Sequence, residues 1–374
     1  MAPPALLARE EAQARCADAV RPPLVDPRFE VVGGGGLGGV AEIGGLVEAG
    51  EAAGMTRCVN VAGVANVAGV AGVANISHAT ARAAQAAPPL SDAQLARYAI
   101  TALIDEAQLT PKPALVDRRG SGAHRDLDLD TMLRSAHALE PTFAALARAA
   151  RRRGEPSALL RTELAQIGRA GELDMLNATS GSNAHRGAIW IVGLLVAGAA
   201  LPAGAVRPNA ARISTRAAQI ACFPDRFAAP SDSHGERARQ RYQVGGARRE
   251  AQDGFPHVID VGLPALLAAR RRGIDENAAR VDALLSIMAT LDDTCLLHRA
   301  GLPGLHAGQH GAQRVLDAGG SSTPAGRAAL AALEHDLLTL NASPGGAADL
   351  LAATLFLDML AHHDADRSLD SWNI

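Results

Sequence analysis

From Ser91 onward the apolar residues recur at helical spacing, and no stretch alternates in the manner of a half-buried strand. That period restricts the fold more than any other feature. Ser91 reads as an N-cap, with Leu95, Tyr98, Ala99, Ala102, Leu103 and Ala107 on one face of the helix that follows. Residues 127–153 read as a long helix with Met132, Leu133, Ala136, Leu139, Phe143 and Leu146 inward, and with Pro141 placed to kink or split it. Residues 157–176 and 277–291 follow the same pattern. Aromatic residues make up only 3% of the chain, which weighs against an all-β fold and against base-stacking platforms. The expectation is an all-α fold, a single helical domain over residues 91–374. Its cleft lies where polar helix ends converge, with the apolar runs 188–201 and 350–360 in the core.

Residues 1–90 differ in kind. A glycine run (Gly33 to Gly36, Gly38, Gly39) precedes the tract VAGVANVAGVAGVAN, whose period of three matches neither helix nor strand. A low-complexity, disordered N-terminal extension is expected there. The opening MAPPALLAREE has no basic segment before an apolar run, and residues 187–201 are too short to span a bilayer comfortably. A cytoplasmic chain without a membrane partner is expected. Net charge is −3 with both signs interspersed, so no basic stripe invites nucleic acid. The four cysteines lie far apart and include no CxxC pair, so neither a zinc knuckle nor a disulfide framework is indicated.

Chemistry concentrates at the breaks between helices. In residues 106–128, EAQLTPKPALVDRRGSGAHRDLD, Pro111 and Pro113 hold the backbone extended around Lys112 and end the preceding helix near Thr110. Cations, carboxylates and a small-residue loop then coincide, as in a phosphate or metal site, although a charged surface loop has the same composition. Asn183 caps the next apolar helix and puts His185 and Arg186 in its first turn, where a cation is best explained by an intervening anion. His234 and Arg248 belong to an arginine-rich, glycine-punctuated segment that also reads as a solvated helix. Asp292 and Asp293 close an amphipathic helix at its negative end, so magnesium or Arg299 is needed beside them. Ser343, Pro344, Gly345 and Gly346 open a strongly apolar helix and leave amides for an anion, with Asp349 in the first turn.

In this order, TPKPALVDRRGSGAHRDLD, SNAHRG, SHG with GAR and GFP, DDTCLLHRAG, and SPGGAADLLAATLFLD resemble the triphosphoribosyl-dephospho-CoA synthases. These enzymes make the prosthetic-group precursor of malonate decarboxylase and citrate lyase. The resemblance runs from about Ser91 to the C-terminus. It departs from the family pattern at Ala114 and Ala300 (usually Gly), Gly120 and Cys295 (usually Asn), and Ala184 (usually Thr).

The resemblance implies transfer of the triphosphoribosyl group of ATP to the 2′-hydroxyl of 3′-dephospho-CoA with release of adenine. An α-linked product from a β-linked donor implies one inverting displacement through an oxocarbenium-like transition state. His124 is the expected base with Asp126 or Asp128 orienting it, and Glu106 and His185 are the alternatives. Lys112, Arg118, Arg186, His234, Arg248, Ser343, Gly345 and Gly346 are expected to bind substrate, and Asp117, Asp292 and Asp293 to hold Mg2+. The malonate decarboxylase branch is favoured, with the product passed to a transferase that loads the acyl carrier subunit. Two rival readings are a magnesium-dependent helical ADP-ribosyl hydrolase or phosphohydrolase, and a nucleotide-binding protein with impaired catalysis.

Overall fold

The computed structural model describes residues 89–202, 209–228 and 233–370, with side chains as far as residue 363. The expected extension over 1–90 therefore lies, apart from residues 89 and 90, outside the described residues. Among those described, every regular element is helical, and a single isolated bridge joins Asp117 to Gly120.

Helix α1 (Asp92–Gln108) starts on a reciprocal capping box: the Ser91 side chain accepts from the Gln94 amide, and the Gln94 side chain accepts from the Ser91 amide. The long helix expected over 127–153 is instead two, α2 (Leu129–Ala138) and α3 (Glu140–Arg153). Pro141 lies in the first turn of α3, where a missing N–H is harmless, so the break falls at Leu139 just before it. Asp128 caps α2 through the Thr131 amide at 2.8 Å, and left-handed Gly154 (φ 80°) ends α3. Helix α4 (Ala158–Ala178) is capped by Ser157.

Helix α5 (Arg186–Ala200) is the core of the fold. Ile189, Ile191, Val192, Leu194, Leu195 and Val196 are all buried, leaving no solvent face to place. It packs against α1, α3, α4, α6 (Ala210–Cys222), α8 (Gly246–Gln252) and α13 (Gly345–Asp370). Burial of each such side chain is worth about 1.5–3 kcal/mol, so this helix anchors everything around it. Among the described residues, no helix is both long and apolar enough to cross a membrane.

Helix α7 (His234–Tyr242) precedes α8, and a π-helical turn (His257–Gly262) runs directly into α9 (Leu263–Arg271). Helix α10 (Glu276–Thr290) is followed by α11 (Thr294–Asp317), which bends at Gly301 (φ 64°, ψ −157°) two residues before Pro303. Helix α12 (Pro324–Thr339) then packs on α11.

The α5–α6 contact depends on one missing methyl group. A β-carbon on Gly198 would lie 2.5 Å from the Ile213 carbonyl oxygen and 3.2 Å from the Ala217 amide, both backbone atoms that cannot rotate aside. Gly198→Ala is expected to lower stability by about 1–3 kcal/mol through forced separation of the two helices. Urea unfolding measures this, and an unchanged midpoint would contradict the packing described.

Candidate active site

The proline-flanked turn carries its lysine inward. Lys112 is buried, and its Nζ donates at 2.6 Å to both the Glu106 carbonyl and the Glu106 carboxylate, itself buried. A buried ion pair holds only when each charge is well compensated, and here the lysine gains two short bonds on one residue. The segment therefore folds back on the end of α1. Asp117 fixes the turn that follows: it accepts from the Lys112 amide at 2.9 Å, the Arg119 amide at 2.7 Å and Arg119 Nε at 2.9 Å. Arg119 extends onward to Glu334 of α12 at 2.7 Å. Arg118 turns outward, with its guanidinium on the Gln108 side chain at 2.7 Å. Ala114 sits at φ 55°, a left-handed conformation in which its β-carbon is strained and glycine is at ease. That conformation accounts for the glycine usual there.

His124 joins three distant segments. Arg299 Nη2 lies 3.0 Å from His124 Nδ1, and Ser343 Oγ lies 2.9 Å from Nε2. A guanidinium only donates, so Nδ1 accepts and the ring proton sits on Nε2, pointing at Ser343. Burial, then the Arg299 charge, push the His124 pKa down to about 4, against the opposing pull of Asp126. Asp126 is mostly exposed and 3.9 Å away, beyond hydrogen-bond reach. The ring is therefore oriented by Arg299, whose Nη1 also holds the Ala123 carbonyl at 3.0 Å. In this arrangement both nitrogens are engaged.

Asp293 behaves differently from its neighbour. The expected pair at a helix C-terminus divides: Asp292 is exposed, whereas Asp293 is buried as the N-cap of α11. Its Oδ1 accepts from Cys295 N at 2.7 Å and Gly346 N at 3.3 Å, and its Oδ2 accepts from Ala347 N at 3.0 Å. One carboxylate thus caps α11 and α13 together. Burial raises its pKa, while the amides of Ala347, Cys295, Gly346 and Leu296 oppose the rise. Asp349 makes a parallel link from α13 to α5, receiving the Ala188 amide and lying where a β-carbon on Gly187 would have to be. Loss of hydration, then the charges of Glu106 and Asp293, raise the Asp349 pKa well above the carboxylate norm.

Helices α7 and α8 close on the same place. Thr294, first residue of α11, faces Gly235 and Gly246, at 3.7 Å and 3.4 Å from the β-carbons those glycines lack. Exposed His234 stacks on His298, centroids 3.9 Å apart and planes 12° from parallel. The beginnings of α5, α7, α8, α11 and α13 are thereby linked contact by contact.

His185 is buried beside this junction. Its amide donates to Met175 Sδ at 3.2 Å, its Nδ1 lies 2.7 Å from Ser135 Oγ, and its Nε2 meets no partner. Burial and the Lys112 charge push its pKa down to about 4. Asn183 accepts from the Arg186 amide at 3.2 Å as the cap pattern requires, yet the Arg186 guanidinium turns to Glu172 at 3.1 Å. Arg248 is exposed on α8, and Gly345 faces Cys295 Sγ. Ala184 joins a small apolar cluster with Val116, Leu127 and Met132.

The proposed magnesium set does not fit as drawn from sequence. Among the described residues no three His, Cys, Asp or Glu side chains stand where they could share one ion. The oxygens of Asp117 are taken by Lys112 and Arg119 and those of Asp293 by amides, so only Asp292 keeps an exposed carboxylate. Of the other expected residues, Glu106 pairs with Lys112, His124 meets Ser343, Gly346 donates to Asp293 and His185 meets Ser135, while Arg118 and Arg186 turn to Gln108 and Glu172 and Asp126 stays exposed 3.9 Å from His124. Sequence reading missed Ser135 and the stacking role of His298, although His298 follows Thr294 by four residues and so shares its face.

Comparison with known proteins bears on this site. Residues 92–368 match the family described as ATP:dephospho-CoA triphosphoribosyl transferase. The chain belongs to that family. It is a transferase by that membership. A protein of Azotobacter vinelandii (strain DJ) is 59% identical over 274 residues, covering 73% of this chain and 93% of its own. One from Pseudomonas aeruginosa (strain UCBPP-PA14) is 59% identical over 266 residues, covering 71% and 90%. One from Stutzerimonas stutzeri (strain A1501) is 58% identical over 273 residues, covering 73% and 93%. All three carry the name "Probable 2-(5''-triphosphoribosyl)-3'-dephosphocoenzyme-A synthase". No solved structure gives a significant match.

The depressed pKa of His185 has a consequence for stability. Neutral in the fold and ordinary when unfolded, its contribution is complete above about pH 6.5 and is lost as pH falls towards about 4. A single buried histidine shifted this far supplies up to about 3 kcal/mol of pH dependence. Urea unfolding from pH 7 to pH 4.5 should therefore show a steeper decline for the wild-type chain than for His185→Gln. Equal slopes would contradict the burial of that ring.

Proposed function

We propose that the chain transfers the 5″-triphosphoribosyl group of ATP to the 2′-hydroxyl of 3′-dephospho-CoA. The bond from ribose C1″ to adenine N9 breaks with its electron pair leaving on adenine, and the bond from C1″ to the acceptor oxygen forms. The hydroxyl proton passes to a base, and adenine takes up a proton as it departs. One inversion converts the β-linked donor into an α-linked product. The observation that carries this reading is the meeting of residues 106–128, 292–299 and 343–349 through His124, Arg299, Ser343 and Asp293.

Within this reading the base is His185 rather than His124. A base needs an open lone pair, and both His124 nitrogens are engaged whereas His185 Nε2 is not. With Ser135 accepting from Nδ1–H, the Nε2 lone pair is free, and burial, then the nearby Lys112 charge, keeps the ring unprotonated. Glu106 holds Lys112 in a buried ion pair. His124 positions Ser343, whose hydroxyl hydrogen stays available to an acceptor because its oxygen accepts from the imidazole. Magnesium would enter as counter-ion of the triphosphate, with Asp292 the one carboxylate of the expected three free to meet it. No step here depends on it. The product would pass in the cytoplasm to a transferase that loads the acyl carrier subunit of malonate decarboxylase, the branch whose stand-alone enzymes the motifs resemble.

Incubation with ATP, with and without dephospho-CoA, followed by mass spectrometry tests the reading. Adenine and one triphosphoribosyl adduct should appear together, only when both substrates are present. Adenine released from ATP alone would mean hydrolysis. His185→Gln should lower kcat by about 100-fold or more.

A further inference from the structure

Helix α4 presents a cation that the site described so far does not use. The Arg161 guanidinium carbon lies 4.8 Å from the centroid of the Trp190 ring, and its Nε is buried without any acceptor. Among the described residues no carboxylate forms an ion pair with it. The nearby countercharge, Asp225, is bonded to Arg169 at 2.7 Å. Burial, with Arg248 and Arg169 adding to it, lowers the Arg161 pKa against the pull of Asp225. Buried donors in native proteins have partners, and a desolvated guanidinium among other arginines is costly unless an anion joins it.

The location connects this arginine to the junction of helices. Trp190 lies one turn beyond Arg186 on α5, and its Nε1 donates to the Ala247 carbonyl of α8 at 3.1 Å. Gly246, next in the chain to Ala247, faces Thr294 at the head of α11. Arg248 follows directly, exposed and within electrostatic reach of Arg161. A planar aromatic floor, a stacked guanidinium with an idle N–H and a second, exposed arginine make a chemistry suited to a chain of phosphates.

We propose that Arg161, stacked on Trp190 and assisted by Arg248, binds the phosphate chain of a nucleotide substrate. The proposal rests on the nucleotide-transfer reading for the identity of its ligand, but its occupancy can be read without turnover. Two sources carry the chemistry, the triphosphate of ATP and the diphosphate of dephospho-CoA.

The chain has two tryptophans, so a Trp372→Phe background leaves Trp190 as the only one. Its fluorescence is titrated with inorganic tripolyphosphate, ATP and dephospho-CoA in turn. Saturable change with tripolyphosphate and ATP assigns the donor's triphosphate; change with dephospho-CoA alone assigns the acceptor's diphosphate. Either supports the proposal if Arg161→Gln weakens that ligand by about tenfold to a hundredfold, with partial recovery in Arg161→Lys. Arg248→Gln, an exposed change that leaves folding untouched, should weaken the same ligand. No response of Trp190 to any of the three, with both KM values unchanged in Arg161→Gln and Arg248→Gln, overturns it. Binding at Trp190 without adenine release would overturn the transfer reading and leave this subsite standing.

Discussion

One buried carboxylate shared by two helix beginnings governs this architecture. Each helix N-terminus carries about half a positive charge and several amides without intrahelical partners, so two such ends brought together repel and lose hydration. Asp293 removes both penalties at once by accepting from Cys295 of α11 and from Gly346 and Ala347 of α13. A buried carboxylate is itself unfavourable unless its oxygens are well bonded, and here they are. Asp349 repeats the device between α13 and α5. The result is a fixed convergence of helix heads whose first amides are already bonded from within. On the nucleotide-transfer reading proposed above, countercharge for the substrate comes from side chains, the part proposed for the half-buried guanidinium of Arg161 and the exposed one of Arg248.

A second chain of polar contacts runs through the proline-flanked turn. Glu106 holds Lys112, Asp117 holds the backbone of Lys112 together with Arg119, and Arg119 reaches α12. This turn brings His124 to Arg299 and Ser343. A histidine gripped at both nitrogens aligns its neighbours; a histidine with one idle nitrogen can take a proton. Burial lowers the basicity of both His124 and His185, and the two differ in this respect.

Much of the fold was legible because its signals are local. Helical period, the Ser91 cap and the strongly apolar run of α5 depend on residues near in sequence, and helices follow at those positions. The split at Leu139 was half legible, since Pro141 is equally compatible with a kinked helix or a new first turn. The site was legible as a set of motifs but less so in its roles. Asp292 and Asp293 look equivalent in sequence, and only the arrival of α13 against one of them separates cap from surface residue. Similarly, Asp117 resembles a ligand until Arg119 is seen to occupy it. Arg161 carried no local signal, because its meaning lies in a tryptophan on another helix and in the absence of a partner.

The central claim is that Asp293 ties the first turns of α11 and α13 into one unit. Amide hydrogen exchange on Asp293→Ala, compared with the wild-type chain, tests it most directly. Faster exchange should appear together at Cys295 and Leu296 of α11 and at Gly346 and Ala347 of α13. Faster exchange confined to α11, with the start of α13 as protected as before, would contradict the account.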